Sequence, residues 1–281
     1  MPTHRFRIVN VFTQRRGTLT GNPLCVFEQG AEFDDGTMQA LATQFNLSET
    51  TFILPSSRAA AKVRIFTPRY EMPFAGHPTL GTAHVCRALG LGGNALKLEM
   101  KAAIIDVEAA GDRWTLTAPA VTCREADVPR AALARALGLD EGDIGERPLW
   151  VKAGKEQLIV PLTSTDAVRR VSPSASAMGE IRSEDGSAMA YVFAESAPGR
   201  ALARFFFPSG SAILEDPATG SATANFGGWC LAMNRPLPLA LEISQGEFAG
   251  RPSTLHLEVT AERRIRVGGD VLEVGAGTMT L

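Results

Sequence analysis

The sequence predicts an α+β protein of two similar halves, each a curved mixed sheet wrapped around one buried central helix, with the halves related by a pseudo-twofold axis. Three observations lead to this prediction. A block of strand, turn and helix occurs twice in the chain, and the two helices of the repeat carry almost no charge. Short segments elsewhere alternate polar with apolar residues.

The repeat is visible in two pairs of segments. RIFTP at Arg64–Pro68 matches RFFFP at Arg204–Pro208, 140 positions later. HPTLGTA at His77–Ala83 matches DPATGSA at Asp216–Ala222, 139 positions later. Solenoid repeats are only about 20–45 residues long. The longer spacing therefore predicts two homologous halves rather than a solenoid.

The boundary between the halves is predicted at residues 119–129, PAVTCREADVP, because a charged segment with proline at both ends is typical of a linker. We place one half at residues 1–120 and the other at residues 128–281. The end of the chain, VLEVGAGTMTL at residues 271–281, predicts two short strands. The pattern leaves open whether they stay with the second half or return to the first.

Local patterns predict the other elements. Alternation of polar and apolar side chains predicts five strands, at Arg5–Val9, Lys62–Phe66, Trp114–Thr117, Leu149–Lys152 and Thr254–Val259. Helices are predicted at Gly36–Phe45 and Pro129–Leu139, the second of which has Gly138 near its end.

The two helices of the repeat are predicted at Pro78–Leu89 and Pro217–Leu231. Proline is favoured at the first helical position, where its missing N–H breaks no intrahelical hydrogen bond. Both segments lack a polar face, which is typical of a helix buried on all sides. The unpaired N–H groups of a first turn attract anions, so each helix start could hold a carboxylate. We expect the two starts to converge on one cleft, with His77 and Asp216 on opposite sides.

His77 and Asp216 hold matching positions in the aligned segments. An aspartate before a proline is typical of a helix N-cap, which is a structural role. Histidine is not a favoured cap, and its pKa near neutrality suits proton transfer. A lone histidine in a turn is more often structural, but the match with Asp216 favours a functional role for His77.

Glu49, in NLSETTF at Asn46–Phe52, is a third candidate. One interpretation is a capping box in which Asn46 caps a helix. The residues that follow, TTFIL, favour a strand, at whose start a partly buried carboxylate could have a raised pKa and act as a base. Asn22, in the sequence GNP, is typical of a turn, with contact to a ligand as the alternative.

Composition argues against several classes of protein. The formal net charge of −2 provides no basic surface for nucleic acid, and no run of about 18 apolar residues could span a membrane. The first residues lack the apolar region of a signal peptide, so we expect a cytoplasmic protein. The four cysteines form no CxxC pair, which predicts buried, reduced thiols. His84 lacks the partner of a helical zinc pair, and we expect no metal site.

Four segments, in this order, resemble the phenazine biosynthesis PhzF-like family. They are GNPLCVF at Gly21–Phe27, NLSETTF at Asn46–Phe52, FTP followed by MPFAGHPTLGTA up to Ala83, and EDPATGSA at Glu215–Ala222. The family has the diaminopimelate epimerase-like fold, in which two similar α+β domains enclose an active site in the cleft between them. The resemblance covers essentially the whole chain, and it implies this fold.

The resemblance also implies roles for residues. Glu49 would be the main general acid and base, with His77 and Asp216 completing the site. Ser221 and the backbone at Gly76 and Gly220 would contact a substrate carboxylate. The phenazine enzyme of the family isomerises a dihydro-hydroxyanthranilate by moving a proton, without a metal or organic cofactor. A homodimer is implied by the resemblance alone.

Our leading hypothesis is a cofactor-independent isomerase of a small, carboxylate-bearing, cyclic or unsaturated metabolite. An epimerase or lyase acting on an amino-acid derivative is one alternative. Epimerases of this fold that depend on cysteine use two thiols, and neither GHPT nor EDPATGSA contains cysteine, which argues against that version. A binding protein with the same fold is the other alternative, and the three acid–base residues argue against it because binding alone needs none.

Overall fold

The computed structural model of the chain describes residues 1–14 and 19–281. Its elements fall into two compact units. The first unit is Met1–Thr117 together with Gly268–Leu281, and the second is Ala118–Val267. Within the described residues, no helix is long and apolar enough to cross a membrane.

The first unit alternates strands with two α-helices. In chain order its elements are β1 (Thr3–Val11), β2 (Asn22–Phe27), α1 (Asp35–Phe45), β3 (Glu49–Leu54), β4 (Ala61–Phe66), β5 (Glu71–Met72), α2 (Gly76–Ala88), β6 (Ala95–Glu99), β7 (Ile104–Ala110) and β8 (Arg113–Thr117).

The second unit has a longer helical insertion between its strands. Its elements are β9 (Thr122–Glu125), α3 (Arg130–Leu137), β10 (Leu149–Ala153), β11 (Lys155–Pro161), α4 (Thr165–Arg170), α5 (Ala175–Met178), β12 (Ala190–Ala197), β13 (Arg200–Ser209), β14 (Ala212–Asp216), α6 (Gly220–Ala232), β15 (Leu239–Gln245) and β16 (Ser253–Val259). The last strand, β17 (Ile265–Thr280), begins in this unit and continues into the first.

The strands of the first unit pair into a closed ring. The pairs run β1–β2, β2–β3, β3–β4, β4–β6, β6–β7 and β7–β8, and β17 pairs with both β8 and β1. The β2–β3 and β4–β6 pairs are parallel, so the sheet is mixed. A closed ring has no free edge, and its interior must be filled by side chains or by another element.

Helix α2 fills this interior. It packs against β1, β2, β3, β4, β6 and β8, and nine of its 13 residues are buried. Small residues permit the close approach, since a Cβ atom placed on Gly81 would lie only 2.6 Å from Leu24 Cδ2. The outer face of the same sheet is covered by α1 through a cluster that includes Phe27 and Phe52.

The second unit repeats this order of pairing. The β10–β11, β12–β13 and β15–β16 pairs are antiparallel, and the β11–β12 and β13–β15 pairs are parallel. The three antiparallel pairs correspond, in this order, to β1–β2, β3–β4 and β6–β7 of the first unit. The two parallel pairs correspond to β2–β3 and β4–β6. Helix α6 takes the place of α2, with 11 of its 13 residues buried.

Two partly buried ion pairs mark equivalent strands. Arg64 Nε donates to Glu71 Oε1 at 2.8 Å, and Arg204 Nη2 donates to Glu215 Oε2 at 2.7 Å. Each guanidinium also lies over the phenylalanine ring two residues further on, at 5.0 Å and 4.8 Å from the ring centroid. The predicted match of RIFTP with RFFFP is therefore confirmed.

The predicted match of HPTLGTA with DPATGSA is wrong by several residues. Helices α2 and α6 have the same length and end with equivalent backbone hydrogen bonds. Leu91 N donates to Cys86 O after α2, and Arg235 N donates to Cys230 O after α6. Aligned in this way, the second residues of the helices correspond, so His77 matches Ser221. Asp216 matches Met72 instead, since both residues end the strand that precedes the helix.

The cause of the error is a hairpin of different length in each unit. The last pair of the β4–β5 hairpin is Phe66 opposite Glu71. In the β13–β14 hairpin the equivalent pair, Phe206 opposite Glu215, is followed by further pairs up to Ser209 opposite Ala212. The extra residues shift the register of everything that follows. The shared proline and glycine letters of the two segments therefore align residues that are not structurally equivalent.

Other predictions are confirmed or corrected by the elements themselves. The five predicted strands lie within β1, β4, β8, β10 and β16, and the predicted helices correspond to α1 and α3. The expected linker contains β9, which pairs with β10. The last residues form one long strand rather than two, and this strand pairs with β1 of the first unit. Cys123 is exposed, contrary to the expectation of four buried thiols.

The close packing of α2 generates a test of the fold. We expect Gly81→Ala to lower the free energy of unfolding by about 1–3 kcal/mol, because the new methyl group overlaps Leu24 and approaches Val9 and Val11. The matched control is Gly36→Ala in α1, where the nearest atom is 3.6 Å away. The control should be neutral or stabilising by up to about 1 kcal/mol. Chemical denaturation measures both, and equal effects of the two substitutions would contradict the packing described here.

Candidate functional site

Glu49 is the first residue of β3. The capping-box interpretation is wrong, because Asn46 ends α1 in the left-handed conformation, with φ of 51°, rather than starting a helix. The predicted strand follows instead. Glu49 lies opposite Leu24 of the parallel strand β2, and its side chain is 15% exposed. A carboxylate at this position is largely, but not fully, removed from water.

His77 is the second residue of α2, and it does not cap the helix. The N-cap is Ala75, which has no capping side chain, and Pro78 is the third helical residue rather than the first. Because α2 is enclosed by the sheet, the imidazole is only 6% exposed. Its Nδ1 lies 3.4 Å from Glu49 Oε2. The structure thus brings together two of the three predicted catalytic residues within one unit.

The imidazole of His77 is neutral near pH 7. Burial lowers the pKa of His77 to about 3, although a hydrogen bond to the carbonyl of Pro23 opposes this shift. Nε2 has no hydrogen-bond partner among the described residues. We therefore assign the ring proton to Nδ1, which faces Glu49.

The segment before β2 supports this contact. Gly21 has φ of +81°, and a Cβ atom there would lie 2.5 Å from the carbonyl oxygen of Val11, so only glycine fits without strain. Asn22 follows as the first residue of β2 and is fully buried, opposite Val11. This tight turn positions Pro23, whose carbonyl accepts a hydrogen bond from His77. Asn22 is therefore the chain neighbour of a residue that forms a hydrogen bond with His77.

Asp216, the third predicted catalytic residue, lies in the second unit. It is not the N-cap of α6, because the helix begins at Gly220 with Thr219 before it. The hydroxyl of Thr219 donates a hydrogen bond to the Asp216 carboxylate. Gln245 Nε2 donates to the Asp216 carbonyl at 2.9 Å and to Thr219 Oγ1 at 3.0 Å. The aspartate is thereby held at the end of β14.

The predicted binding residues lie at helix starts. Gly76 begins α2, and Gly220 and Ser221 begin α6. Ser221 Oγ accepts a hydrogen bond from Gln157 Nε2 at 3.2 Å. Free N–H groups and the helix dipole make both starts suitable for an anionic group.

Sequence reasoning missed the buried amides of the second unit. Gln157, Asn225 and Gln245 are each at most 2% exposed, and all three make side-chain hydrogen bonds near the start of α6. Amide side chains inside otherwise apolar strands and helices were the available signal. Among the described residues, no group of three or more His, Cys, Asp or Glu side chains is placed to hold a metal ion.

Two predicted structural residues have other roles. His84 Nδ1 accepts a hydrogen bond from Trp114 Nε1 at 3.3 Å, which ties α2 to β8. The exposed Cys123 contacts the carbonyl oxygen of Gly228 in α6. Neither contact involves Glu49, His77 or Asp216.

Comparison with known proteins identifies the family. The family model described as phenazine biosynthesis-like protein, PhzC-PhzF, matches residues 9–277. An uncharacterised isomerase of Pasteurella multocida is 39% identical, over 98% of this chain and 94% of its own length. A trans-2,3-dihydro-3-hydroxyanthranilate isomerase of Pseudomonas fluorescens is 32% identical, over 99% of this chain and 100% of its own length.

The fold agrees with this relationship. The crystal structure of a Bacillus anthracis phenazine biosynthesis protein of the PhzF family covers 100% of both chains with a TM-score of 0.88, at 23% identity. The mixed sheets and few helices described above are therefore those of this fold. The chain belongs to the phenazine biosynthesis-like PhzF family and is an isomerase.

Proposed function

We propose that this isomerase moves a proton within a small, carboxylate-bearing, cyclic or unsaturated metabolite by general acid–base catalysis, without a cofactor. The observation that carries the proposal is the contact of 3.4 Å between Glu49 Oε2 and His77 Nδ1, both largely removed from water. A neutral imidazole forms no ion pair with the carboxylate beside it, so it does not lower the basicity of that carboxylate toward a proton of the substrate.

The proposed reaction removes one proton from the substrate and adds one, so there is no net change in the number of protons. Glu49 removes a proton from one carbon of the substrate, and the electrons of the broken C–H bond move into the adjacent unsaturated system. The resulting carboxylic acid, whose side chain is 15% exposed and can exchange its proton with solvent, returns a proton to another carbon. His77 stays neutral throughout, and its protonated Nδ1, which lies 3.4 Å from Oε2, stabilises the ionised form of Glu49 electrostatically.

The remaining predicted residues are proposed to bind the substrate. We assign the anionic end of the substrate to the N–H groups at Gly220 and the hydroxyl of Ser221, because a helix start favours negative charge. Gly76 and Asn22, next to His77 and Pro23 in the chain, are proposed as further contacts. Asp216, held by Thr219, is proposed to relay or stabilise charge in the same reaction.

The substrate class is suggested by the relatives. The Pseudomonas fluorescens relative is named for trans-2,3-dihydro-3-hydroxyanthranilate, which is a cyclic, unsaturated carboxylate. We propose a substrate of this chemistry here. We also propose that the two units are copies of one domain, and that the protein acts as a cytoplasmic homodimer with a small molecule as its partner.

Isotope exchange tests the assignment of Glu49. In D₂O, the product should gain deuterium at carbon, and Glu49→Gln should reduce turnover by about 10²–10⁴-fold because the amide cannot accept the proton. Mass spectrometry and proton NMR with trans-2,3-dihydro-3-hydroxyanthranilate measure both effects. The control is Asp106→Asn, an exposed carboxylate of β7, which should retain full activity.

The same experiment separates the alternatives. An epimerase would exchange deuterium at a single stereocentre and invert it, whereas an isomerase moves the double bond. Binding without exchange by the wild-type protein would support the non-catalytic alternative. Full activity in Glu49→Gln would contradict the proposed base.

The neutrality of His77 predicts a dependence of stability on pH. Its folded pKa is lowered to about 3, whereas an unfolded histidine titrates near 6.5. Between these values the unfolded chain binds a proton that the folded chain does not, so this contribution to stability is lost as pH falls. From pH 7 to pH 5 the wild type should lose about 2 kcal/mol more unfolding free energy than His77→Gln. Equal losses, measured by urea denaturation, would show that folding does not lower the pKa of His77.

A further inference from the structure

The second unit has a polar pair where the first unit has an apolar contact. Leu24 lies three residues before Phe27, which pairs with Phe52 of β3. Gln157 lies three residues before Val160, which pairs in the same way with Val192 of β12. Phe52 and Val192 in turn lie opposite the equivalent arginines, Arg64 and Arg204. Gln157 is therefore the counterpart of Leu24.

The residue that each contacts on the buried helix differs accordingly. Leu24 packs onto Gly81 of α2. Gln157 Oε1 accepts a hydrogen bond of 2.7 Å from Asn225 Nδ2 of α6, and Asn225 corresponds to Gly81 by the helix alignment given above. The Leu–Gly contact shows that this fold needs no amide at these positions. The buried amides of the second unit therefore need another explanation.

Backbone groups fix the direction of this hydrogen-bond chain. The N–H of Ala153, which can only donate, donates to Asn225 Oδ1 at 2.7 Å. The carbonyl of Lys155, which can only accept, accepts from Asn225 Nδ2 at 3.0 Å. The orientation of the Asn225 amide is thus determined. Its Nδ2 must donate to Gln157 Oε1, so Gln157 presents its NH₂ group at the other end.

The direction extends to the start of α6. Gln157 Nε2 donates to Ser221 Oγ at 3.2 Å. Since a hydroxyl has one proton, and Gln157 offers only protons at this end, Ser221 must direct its own proton to a different acceptor. Gln157 and Asn225 are both almost fully buried, so water does not compete for these bonds.

We propose that Gln157, oriented by Asn225, is a positioning residue that makes Ser221 a hydrogen-bond donor to a carboxylate oxygen of the substrate. The inference rests on the proposed function, in which Ser221 binds that carboxylate. It adds the reason that the hydroxyl donates rather than accepts. It also explains why two amides, Gln157 and Asn225, lie next to Ser221, whereas the first unit has a leucine and a glycine at the equivalent positions.

A double-mutant cycle tests the coupling of Gln157 to Ser221. The variants are Gln157→Leu, Ser221→Ala and the two combined, and the probe is 3-hydroxyanthranilate, an aromatic carboxylate that cannot undergo the isomerisation. We expect each single substitution to weaken binding about tenfold, measured by titration calorimetry. The double variant should bind no more weakly than Ser221→Ala, because Gln157 acts only through that hydroxyl.

A second variant keeps the test valid if Gln157→Leu fails to fold. Gln157→Glu retains the shape of the side chain but presents an acceptor to Ser221, so it should weaken binding of the probe more than Gln157→Leu does. The control is Gln39→Leu in the first unit. It removes a partly buried hydrogen bond from the Gln39 amide to the Thr67 carbonyl and should leave the affinity for the probe unchanged.

The outcomes distinguish this inference from the function on which it rests. Losses that add in the double variant, or Gln157→Glu binding as well as the wild type, would overturn the inference alone. Failure of the wild-type protein to bind the probe would overturn the proposed substrate class, and the inference with it.

Discussion

The burial of a helix with almost no charge inside a ring of strands is the constraint on which the rest of the first unit depends. Helix α2 has no polar face, so it is stable only when the sheet encloses it. Enclosure requires small residues such as Gly81 where strands approach closely. It also buries the first turn, which an exposed helix would present to water. His77 is therefore desolvated by the same packing that stabilises the fold.

Desolvation gives the acid–base pair its character. An exposed histidine beside a carboxylate would titrate near neutrality and form an ion pair, which would reduce the basicity of the carboxylate. At the start of α2, burial lowers the pKa of His77 to about 3 and keeps the imidazole neutral. Glu49 reaches the same place from the start of β3. Strand register and helix burial together thus place the proposed base beside a neutral imidazole.

The two units share one order of strand pairing but have different side chains at the start of the buried helix. At the second position of the buried helix, the first unit has His77 and the second has Ser221. Behind these residues, Leu24 and Gly81 pack without polar groups, whereas Gln157 and Asn225 form a directed hydrogen-bond chain. The repeated strand pairing preserves the frame. Divergence is concentrated at the helix starts and at the residues that support them.

Much of the fold could be predicted from the sequence, because alternation and uncharged helices report burial directly. The strand at Glu49 was predictable for this reason, since TTFIL follows it. The equivalence of His77 with Asp216 was predicted wrongly, because hairpin length is invisible when short motifs share proline and glycine. The family resemblance indicated Glu49 and His77, but their contact depends on strand register, which no local pattern encodes. The hydrogen bonds of Gln157 and Asn225 could not be predicted either, because they join residues that are far apart in the sequence.

The central claim is that His77 is a neutral imidazole with its proton on Nδ1, facing Glu49. Nitrogen-15 NMR of the folded protein, with histidine labelled, measures the protonation of both ring nitrogens as a function of pH. The account predicts that Nδ1 is protonated, that Nε2 is unprotonated, and that neither signal changes between pH 8 and about pH 4.5. A titration of the His77 ring near pH 6–7, or a proton on Nε2, would contradict it.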